Sequence, residues 1–371
     1  MQPVSYRFLL APFFEMTRGG YIMHRRRWAL LAIPAALAVA LTACGSRSGP
    51  LKADEAGITT VRVTSSQSFN TAPATLLTRG DFAERYGLNF EQVNIAGSGS
   101  SNQIAAILSG DADIAIAGSN AFVDSVIGGA DLQIIAGVSD IIQSLVVSNS
   151  AIERFGVDVN ASPDERVHAL RGMKIGAGVT GSAGNSALRV VLSHAGLDPD
   201  RDVTLVPLAD TTTAVGAGLE QGTYDATWAA AGSGEVAVAR GTATTLISVP
   251  NGEAPALDGY VCNVVFAPTR FIEQNPEVVD RIRDALAEAT RMTKEEPQKT
   301  GQILKNSIYS GMDQQVFDIS WSEAVKAYHE GNLFTREDWN TFVDIFDPLS
   351  EHDYSSIDYE EIINPVARGE S

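Results

Sequence analysis

The chain has 371 residues, with 27 lysines and arginines against 45 aspartates and glutamates, a formal net charge of -18, and only five histidines and two cysteines. That length suits two lobes of ordinary domain size, and 44% hydrophobic residues with 33 glycines suit a folded α/β protein. The acidic balance excludes a nucleic-acid partner, which requires clustered Lys and Arg, and two cysteines exclude a disulfide framework or a cysteine zinc cluster.

The basic cluster His24-Arg25-Arg26-Arg27 precedes an apolar run from Trp28 to Leu41. A charged start, a short apolar middle and a small-residue exit predict a secretory signal over residues 1–43, shorter than the about 20 apolar residues of a membrane span. Met23 stands directly before the cluster, so residues 1–22 read as an upstream start that the processed protein does not need. Leu41-Thr42-Ala43-Cys44 resembles a bacterial lipobox, which implies a lipid on Cys44 after cleavage. The mature chain would then sit on the extracytoplasmic face of the cell membrane, held by that lipid alone. Residues 1–43 contain five basic side chains and one acid, so residues 44–371 retain 22 basic and 44 acidic side chains, a formal charge of -22. Residues 44–57 read as a flexible tether. The second cysteine, Cys262, lies in the apolar run Val261–Phe266 and reads as a buried structural thiol.

From Thr60 short apolar strands alternate with helical patterns, the mark of βαβ units and a mostly parallel sheet. Strands are expected at 61–64, 88–93, 112–117, 132–136 and 144–147, with helices at 72–86, 101–109 and 120–128. The second half repeats this order at an offset of 112 residues. Met173-Lys174-Ile175-Gly176 matches Val61-Arg62-Val63-Thr64, and Leu219-x-x-Gly222-x-x-Asp225 matches Ile107-x-x-Gly110-x-x-Asp113. Two similar lobes follow, with Asp113 and Asp225 expected to tie down strand entries rather than to catalyse. Crossings between lobes are expected near Ser148 and Tyr260. The remainder reads as helices at 276–292, 298–309, 322–329 and 336–345, with Trp321, Trp339, Phe342 and Phe346 in their cores.

Ligands of open parallel sheets sit beyond the carboxyl ends of the strands. Here those ends are Ser65-Ser66-Gln67-Ser68-Phe69-Asn70, Gly97 to Ser101, Gly118-Ser119-Asn120, Val179-Thr180-Gly181-Ser182 and Trp228-Ala229-Ala230. Glycine lets the backbone approach closely, hydroxyls donate and accept, and helix N-termini favour anionic groups. Nucleotide and enzyme signatures are missing: Asn102 stands where a dinucleotide loop needs its third glycine, no Walker lysine follows, and the histidines are dispersed. No catalytic residue, cofactor or metal site is assigned.

Gly97-Ser98-Gly99-Ser100-Ser101, Ile107 to Asp113 with Gly118, Leu170 to Gly176, Gly196-Leu197-Asp198-Pro199 and Gly222 to Ala226 together resemble solute-binding proteins of ABC importers, in the nitrate/sulfonate/taurine/thiamine-precursor branch. The likeness spans nearly all of residues 58 to 348. It implies a two-lobed type II periplasmic-binding fold, each lobe a mostly parallel sheet flanked by helices, the lobes joined by a two-stranded hinge. Lobe 1 would cover 58–147 and lobe 2 148–260, with 261–371 returning as a strand and helices packed on lobe 1. The implied function is capture of a small organic solute (a sulfonate, a pyrimidine or an aromatic or weakly anionic compound) by a monomer that delivers it to an ABC permease. The matching contacts are Ser66, Gln67, Ser68, Gly99, Ser100, Gly118, Ser119 and Thr180, with Phe69 and Trp228 as apolar walls. No Arg or Lys lies within these loops, which disfavours a strongly anionic ligand held by a bidentate arginine. The alternatives are an enzyme on the same scaffold, related to thiamine-pyrimidine or menaquinone biosynthesis, and a lipid-anchored sensor subunit.

Overall fold

Ten short apolar runs form the strands β1 (Thr59–Ser65), β2 (Leu88–Gln92), β3 (Ile114–Gly118), β4 (Leu132–Asp140), β5 (Gln143–Ser148), β6 (Lys174–Ala177), β7 (Thr204–Pro207), β8 (Ala226–Ala230), β9 (Ala243–Ser248) and β10 (Val261–Pro268). In this computed structural model the described residues are 49–79, 82–95, 99–178, 182–208, 212–350 and 352–370. The expected signal segment and Cys44 lie outside them. The helices are α1 (Ala72–Leu77), α2 (Ser100–Ser109), α3 (Ser119–Ile127), α4 (Asn149–Phe155), α5 (Pro163–His168), α6 (Ala183–His194), α7 (Thr212–Glu220), α8 (Glu235–Ala239), α9 (Thr269–Gln274), α10 (Pro276–Glu295), α11 (Pro297–Asn306), α12 (Gln314–Ala324) and α13 (Arg336–Phe346). Among the described residues no helix is long and apolar enough to cross a membrane.

The strands sort into two sheets, β2-β1-β3-β10-β4 and β7-β6-β8-β5-β9. Each has one antiparallel member, β10 in the first and β5 in the second, set between parallel neighbours. The two-lobed α/β architecture with mostly parallel sheets is therefore present. Its internal likeness extends to register: Val63 pairs with Ile114 and Thr64 with Ala115, while Ile175 pairs with Ala226 and Gly176 with Thr227, each 112 positions on. The two aspartates act alike. Asp113 donates its N–H to Arg62 O and accepts the Arg62 N–H on Oδ2, both at 2.8 Å; Asp225 does the same with Lys174, both at 2.8 Å. A short side chain that reaches back to the neighbouring strand fixes where pairing begins. Asp113→Ala and Asp225→Ala should each cost about 1–3 kcal/mol, because each strands a strand-entry N–H and a basic partner, Arg62 or Arg154. Urea unfolding checks this, and costs below about 0.5 kcal/mol would contradict it.

Several expectations are displaced. The strand near 144–147 belongs to the second sheet, so the first crossing falls at 141–142, between β4 and β5, not near Ser148. The two crossings run side by side, with Asp140 paired to Val261 and Ser144 to Ser248. His329 clamps this hinge, Nδ1 3.5 Å from Asp140 Oδ1 and Nε2 3.8 Å from Asp338 Oδ2. Burial alone would lower the His329 pKa, but the two carboxylates raise it above its ordinary value. The helix expected at 322–329 lies instead at Gln314–Ala324. Asp313 starts it by accepting the N–H groups of Gln315 at 2.8 Å and Val316 at 3.2 Å. Finally, part of the expected tether is held in place, by Asn275 at the start of α10 and by the turn around Asp54. Leu51 N donates to Asn275 Oδ1 at 2.6 Å, and Asp54 Oδ1 accepts from Ala56 and Ile58 at 2.9 Å each.

The C-terminal helices cover both lobes rather than lobe 1 alone. Helix α10 buries Val278, Val279, Ile282, Leu286 and Ala289, a 3.6-period stripe, against α1 and β4. Helix α12 packs on α8 of the second lobe, and its Glu323 accepts the Ser248 hydroxyl. Trp321, Trp339, Phe342 and Phe346 are buried, as their helical spacing suggests. Cys262 is a free, buried thiol, and burial pushes its pKa up to about 12.

Candidate functional site

Parallel pairing brings Ser65 level with Ile116, so the chain leaves β1 and β3 on the same edge of the first sheet. Beyond that edge α2 starts at its N-cap Gly99, and α3 starts at its N-cap Gly118. Helix α6 of the second lobe starts at Ser182, whose hydroxyl accepts the Asn185 N–H at 3.3 Å. These helices have 10, 9 and 12 residues, long enough for their unpaired N–H groups and dipoles to favour negative charge.

The three starts converge. Ser100 Oγ accepts the Gly118 N–H at 3.3 Å, which leaves its own hydrogen for an acceptor. A methyl group on Gly118 would lie 3.5 Å from Ser100 Oγ and 4.0 Å from Ala183 Cβ, across the boundary between lobes. On the second lobe, a methyl group on Gly184 would sit 2.6 Å from Gln143 Nε2, so the start of α6 lies against the tip of this side chain. Register puts Leu145 opposite Trp228, and Gln143 shares Leu145's face of β5. On that face two buried polar atoms, Gln143 Oε1 and Trp228 Nε1, have no partner among the described residues.

The predicted residues divide into three groups. Ser66, Gln67, Ser68, Gly99, Ser100 and Gly118 lie at the expected strand ends. Ser66 is exposed with Oγ 3.2 Å from Ser68 Oγ, and Gln67 adopts a left-handed φ of 41° that tightens the turn. By contrast, Ser119 is fully buried and donates to Val261 O at 2.9 Å, so its hydroxyl holds the return strand. Phe69 and Trp228 are also interior. Phe69 stacks on Tyr309 at 4.3 Å and 10°, and Trp228 is 1% exposed in the core of the second sheet. Thr180, like Gly97 and Ser98, lies outside the described residues.

Sequence reading missed Gln103 and Gln143. Gln103 is 1% exposed on α2; with its amide turned to satisfy both neighbours, it donates to Ile116 O at 3.2 Å and accepts the Ser66 N–H at 2.9 Å. It ties the Ser66 turn to the start of α2. The signal was faint: one polar residue on the apolar Ile104–Ile107 stripe. Among the described residues, no Arg or Lys lies in the first turns of α2, α3 and α6, though Arg189 Nε donates to Asn185 Oδ1 at 3.0 Å in the first turn of α6. Lys174 opens β6 at the opposite end, and Arg189 is held by Asp200 at 2.8 and 2.9 Å.

A second junction between lobes is apolar. Gly232 (φ 93°) follows β8, and a methyl group there would lie 3.1 Å from Phe69 Cε2 and 3.2 Å from Met312 Cε. Its N–H is held by the buried Glu235, whose Oε2 accepts it at 2.9 Å. Burial raises the Glu235 pKa to about 7; the N–H groups of Glu235, Gly232 and Ser233 lower it, and Glu323 raises it. The folded protein therefore holds this proton more tightly than the unfolded chain, whose glutamate titrates near 4.5. Stability should fall as pH rises from about 4.5 to about 7 and level off above. Glu235→Gln should flatten that part of the curve of melting temperature against pH, and an unchanged slope would contradict the assignment.

A two-lobed α/β protein with helix N-termini facing across a hinged boundary has the architecture of the periplasmic-binding fold, and solved structures of that fold superimpose on it. The chain belongs to the NMT1-like family, whose model matches residues 54–305. Among solved structures, it is similar to the alkanesulfonate-binding protein SsuA of Xanthomonas axonopodis pv. citri bound to MOPS, at 17% identity and TM-score 0.60 over 78% of this chain and 92% of that one. A Candida albicans protein described as exhibiting the generic periplasmic binding protein fold matches at 14% identity and TM-score 0.58, over 82% and 96%. The desulfurization enzyme DszB matches at 15% identity and TM-score 0.54, over 78% and 91%. No curated protein sequence matches the chain.

Proposed function

We propose that this chain is the extracytoplasmic solute-binding component of an ABC importer, which captures a small organic solute between its lobes and hands it to a membrane permease. The observation that carries this reading is the meeting of Ser100, Gly118 and Ala183, at the N-terminal ends of α2, α3 and α6, across the lobe boundary. Side chains and N–H groups from both lobes can then grip one ligand, and gripping it draws the lobes together. Membership of the NMT1-like family and the sulfonate-binding relative in fold support it. The solute bears one polar, weakly anionic or neutral group for the helix N-termini, since no Arg or Lys lies in their described first turns and Arg189 beside α6 is already paired with Asp200.

Binding without turnover is the expected behaviour. Calorimetric titration with sulfonates, pyrimidines, aromatic carboxylates and nitrate should give saturable heat with one class and return that compound unchanged. Because a desulfurization enzyme shares the fold, a desulfurized or hydrolysed product would overturn the reading, as would no binding across the whole panel. Lipidation of Cys44 is the second element of the proposal. Palmitate labelling of the expressed chain should disappear in Cys44→Ser, and labelling that persists would remove the anchor. The monomeric state belongs to the same proposal.

A further inference from the structure

At the other end of the first sheet from the helix convergence, a cavity of about 280 Å³ lies where β1 and β3 begin. Its walls are the end of α2 from Ile107 to Gly110, Arg270 and Gln274 of α9, and Gly49 and Leu51 of the N-terminal segment. Leu108, on the same wall, is 54% exposed, the most exposed large apolar side chain among the described residues. The charged groups on the wall are Arg62, Arg270 and Asp113. Asp113 is taken by Arg62 at 2.6 Å, while Arg270 is exposed and forms no ion pair among the described residues. Lys52, Asp111 and Glu273 flank the wall in sequence and are exposed. The wall itself is positive, in a chain whose residues 44–371 carry a formal charge of -22. The N-terminal segment is fixed here: Leu51 N donates to Asn275 Oδ1 at 2.6 Å, and Asn275 Nδ2 donates to Phe271 O at 2.8 Å.

We infer that this end of lobe 1 is a membrane-docking surface, which takes the anionic headgroups of a lipid bilayer on Arg270 and seats Leu108 at its apolar boundary. The inference rests on the lipid proposed for Cys44. Gly49, on the cavity wall, is five residues from Cys44 (49 minus 44). Five residues span at most about 18 Å, so a lipid on Cys44 keeps the bilayer surface within that distance of the wall. The bilayer is thus the surface that the wall meets most often. Each Lys or Arg near an anionic leaflet strengthens attachment about fivefold, and an exposed leucine gains by entering the boundary between headgroups and acyl chains. Strands β1 and β3 run away from this wall, so their far ends hold the solute loops clear of the bilayer.

The test uses the full lipidated chain in vesicles of phosphatidylcholine and phosphatidylglycerol that carry a nitroxide quencher on their headgroups. An NBD label is placed on Ser109→Cys, on the cavity wall, or on Val159→Cys, exposed in the second lobe. Cys44 is blocked by its lipid and Cys262 is buried, so each variant takes the label at one thiol. The label at 109 should be quenched, and the label at 159 should not. Arg270→Glu reverses one charge and should lower the ratio of docked to free protein at least about fivefold, read as lost quenching. Vesicles of phosphatidylcholine alone should also lose quenching. Equal quenching at both positions, none at 109, or undiminished quenching in Arg270→Glu or in uncharged vesicles would overturn the inference. Palmitate labelling of the same samples separates the two proposals. A chain without palmitate removes the anchor and this surface with it, whereas palmitate without quenching at 109 overturns this surface alone. Circular dichroism melts of each variant exclude misfolding as the cause.

Discussion

Gly118→Leu should cost about five- to a hundredfold in solute affinity while leaving the fold intact. Gly118 has φ -65° and ψ 134°, extended backbone that any residue adopts, so the substitution adds no strain of its own. A β-carbon there meets only ordinary contacts, 3.5 Å to Ser100 Oγ, 3.9 Å to Cys262 O and 4.0 Å to Ala183 Cβ. Gly118→Ala is therefore the control, and it should bind nearly as wild type. The isobutyl group of leucine has only the space between the lobes to enter. Overpacking a closed contact costs about 1–3 kcal/mol, and each 1.4 kcal/mol is tenfold in affinity. In the proposed mechanism the free protein opens at this contact, so the cost appears in binding more than in the melting temperature of the free protein. Calorimetric titration of both variants, beside thermal unfolding, checks this. Wild-type affinity in Gly118→Leu would show that solute binding does not require lobe contact here.

Phe69→Ala should destabilise the protein by about 3–5 kcal/mol, the range for removing a buried aromatic side chain. Phe69 is 2% exposed, stacks on Tyr309 and lies 5.8 Å from the Phe317 ring and 6.5 Å from that of Trp321. Its carbonyl accepts the Tyr328 hydroxyl at 2.9 Å, so the backbone around it is held and cannot collapse freely into the gap. The residue links the β1 turn, the Gly232 loop and α12, so its loss loosens three elements together. Urea unfolding reads the effect as a fall in midpoint. A change below about 1 kcal/mol would show that the cluster repacks and that the apolar junction is not a structural anchor.

Local patterns in the sequence carried over well. The 112-residue recurrence reappears as identical β1–β3 and β6–β8 registers, because strand entry is fixed locally by Asp113 and Asp225. The described parts of the small, hydroxyl-rich loops, Ser66 to Ser68, Gly99, Ser100 and Gly118, fall where strand polarity puts them, since helix capping and strand ends are written in neighbouring residues. What depended on distant partners was not legible. The sheet that receives β5 is decided by pairing with β8 and β9, some 80 to 100 residues away. Whether Phe69 and Trp228 face a ligand or the interior is decided by Tyr309 and Leu145, and nothing near either residue announces those neighbours. Ser119 looked like its neighbour Gly118 in a loop motif, yet the return strand at Val261 claims its hydroxyl.

The measurement that reaches the central claim most directly is hydrogen exchange by mass spectrometry, with and without the solute identified by titration. If the solute is gripped between the lobes, the N-terminal turns of α2, α3 and α6 should all gain protection at saturating solute. Protection confined to one lobe, or none at these three helix starts, would contradict capture between them.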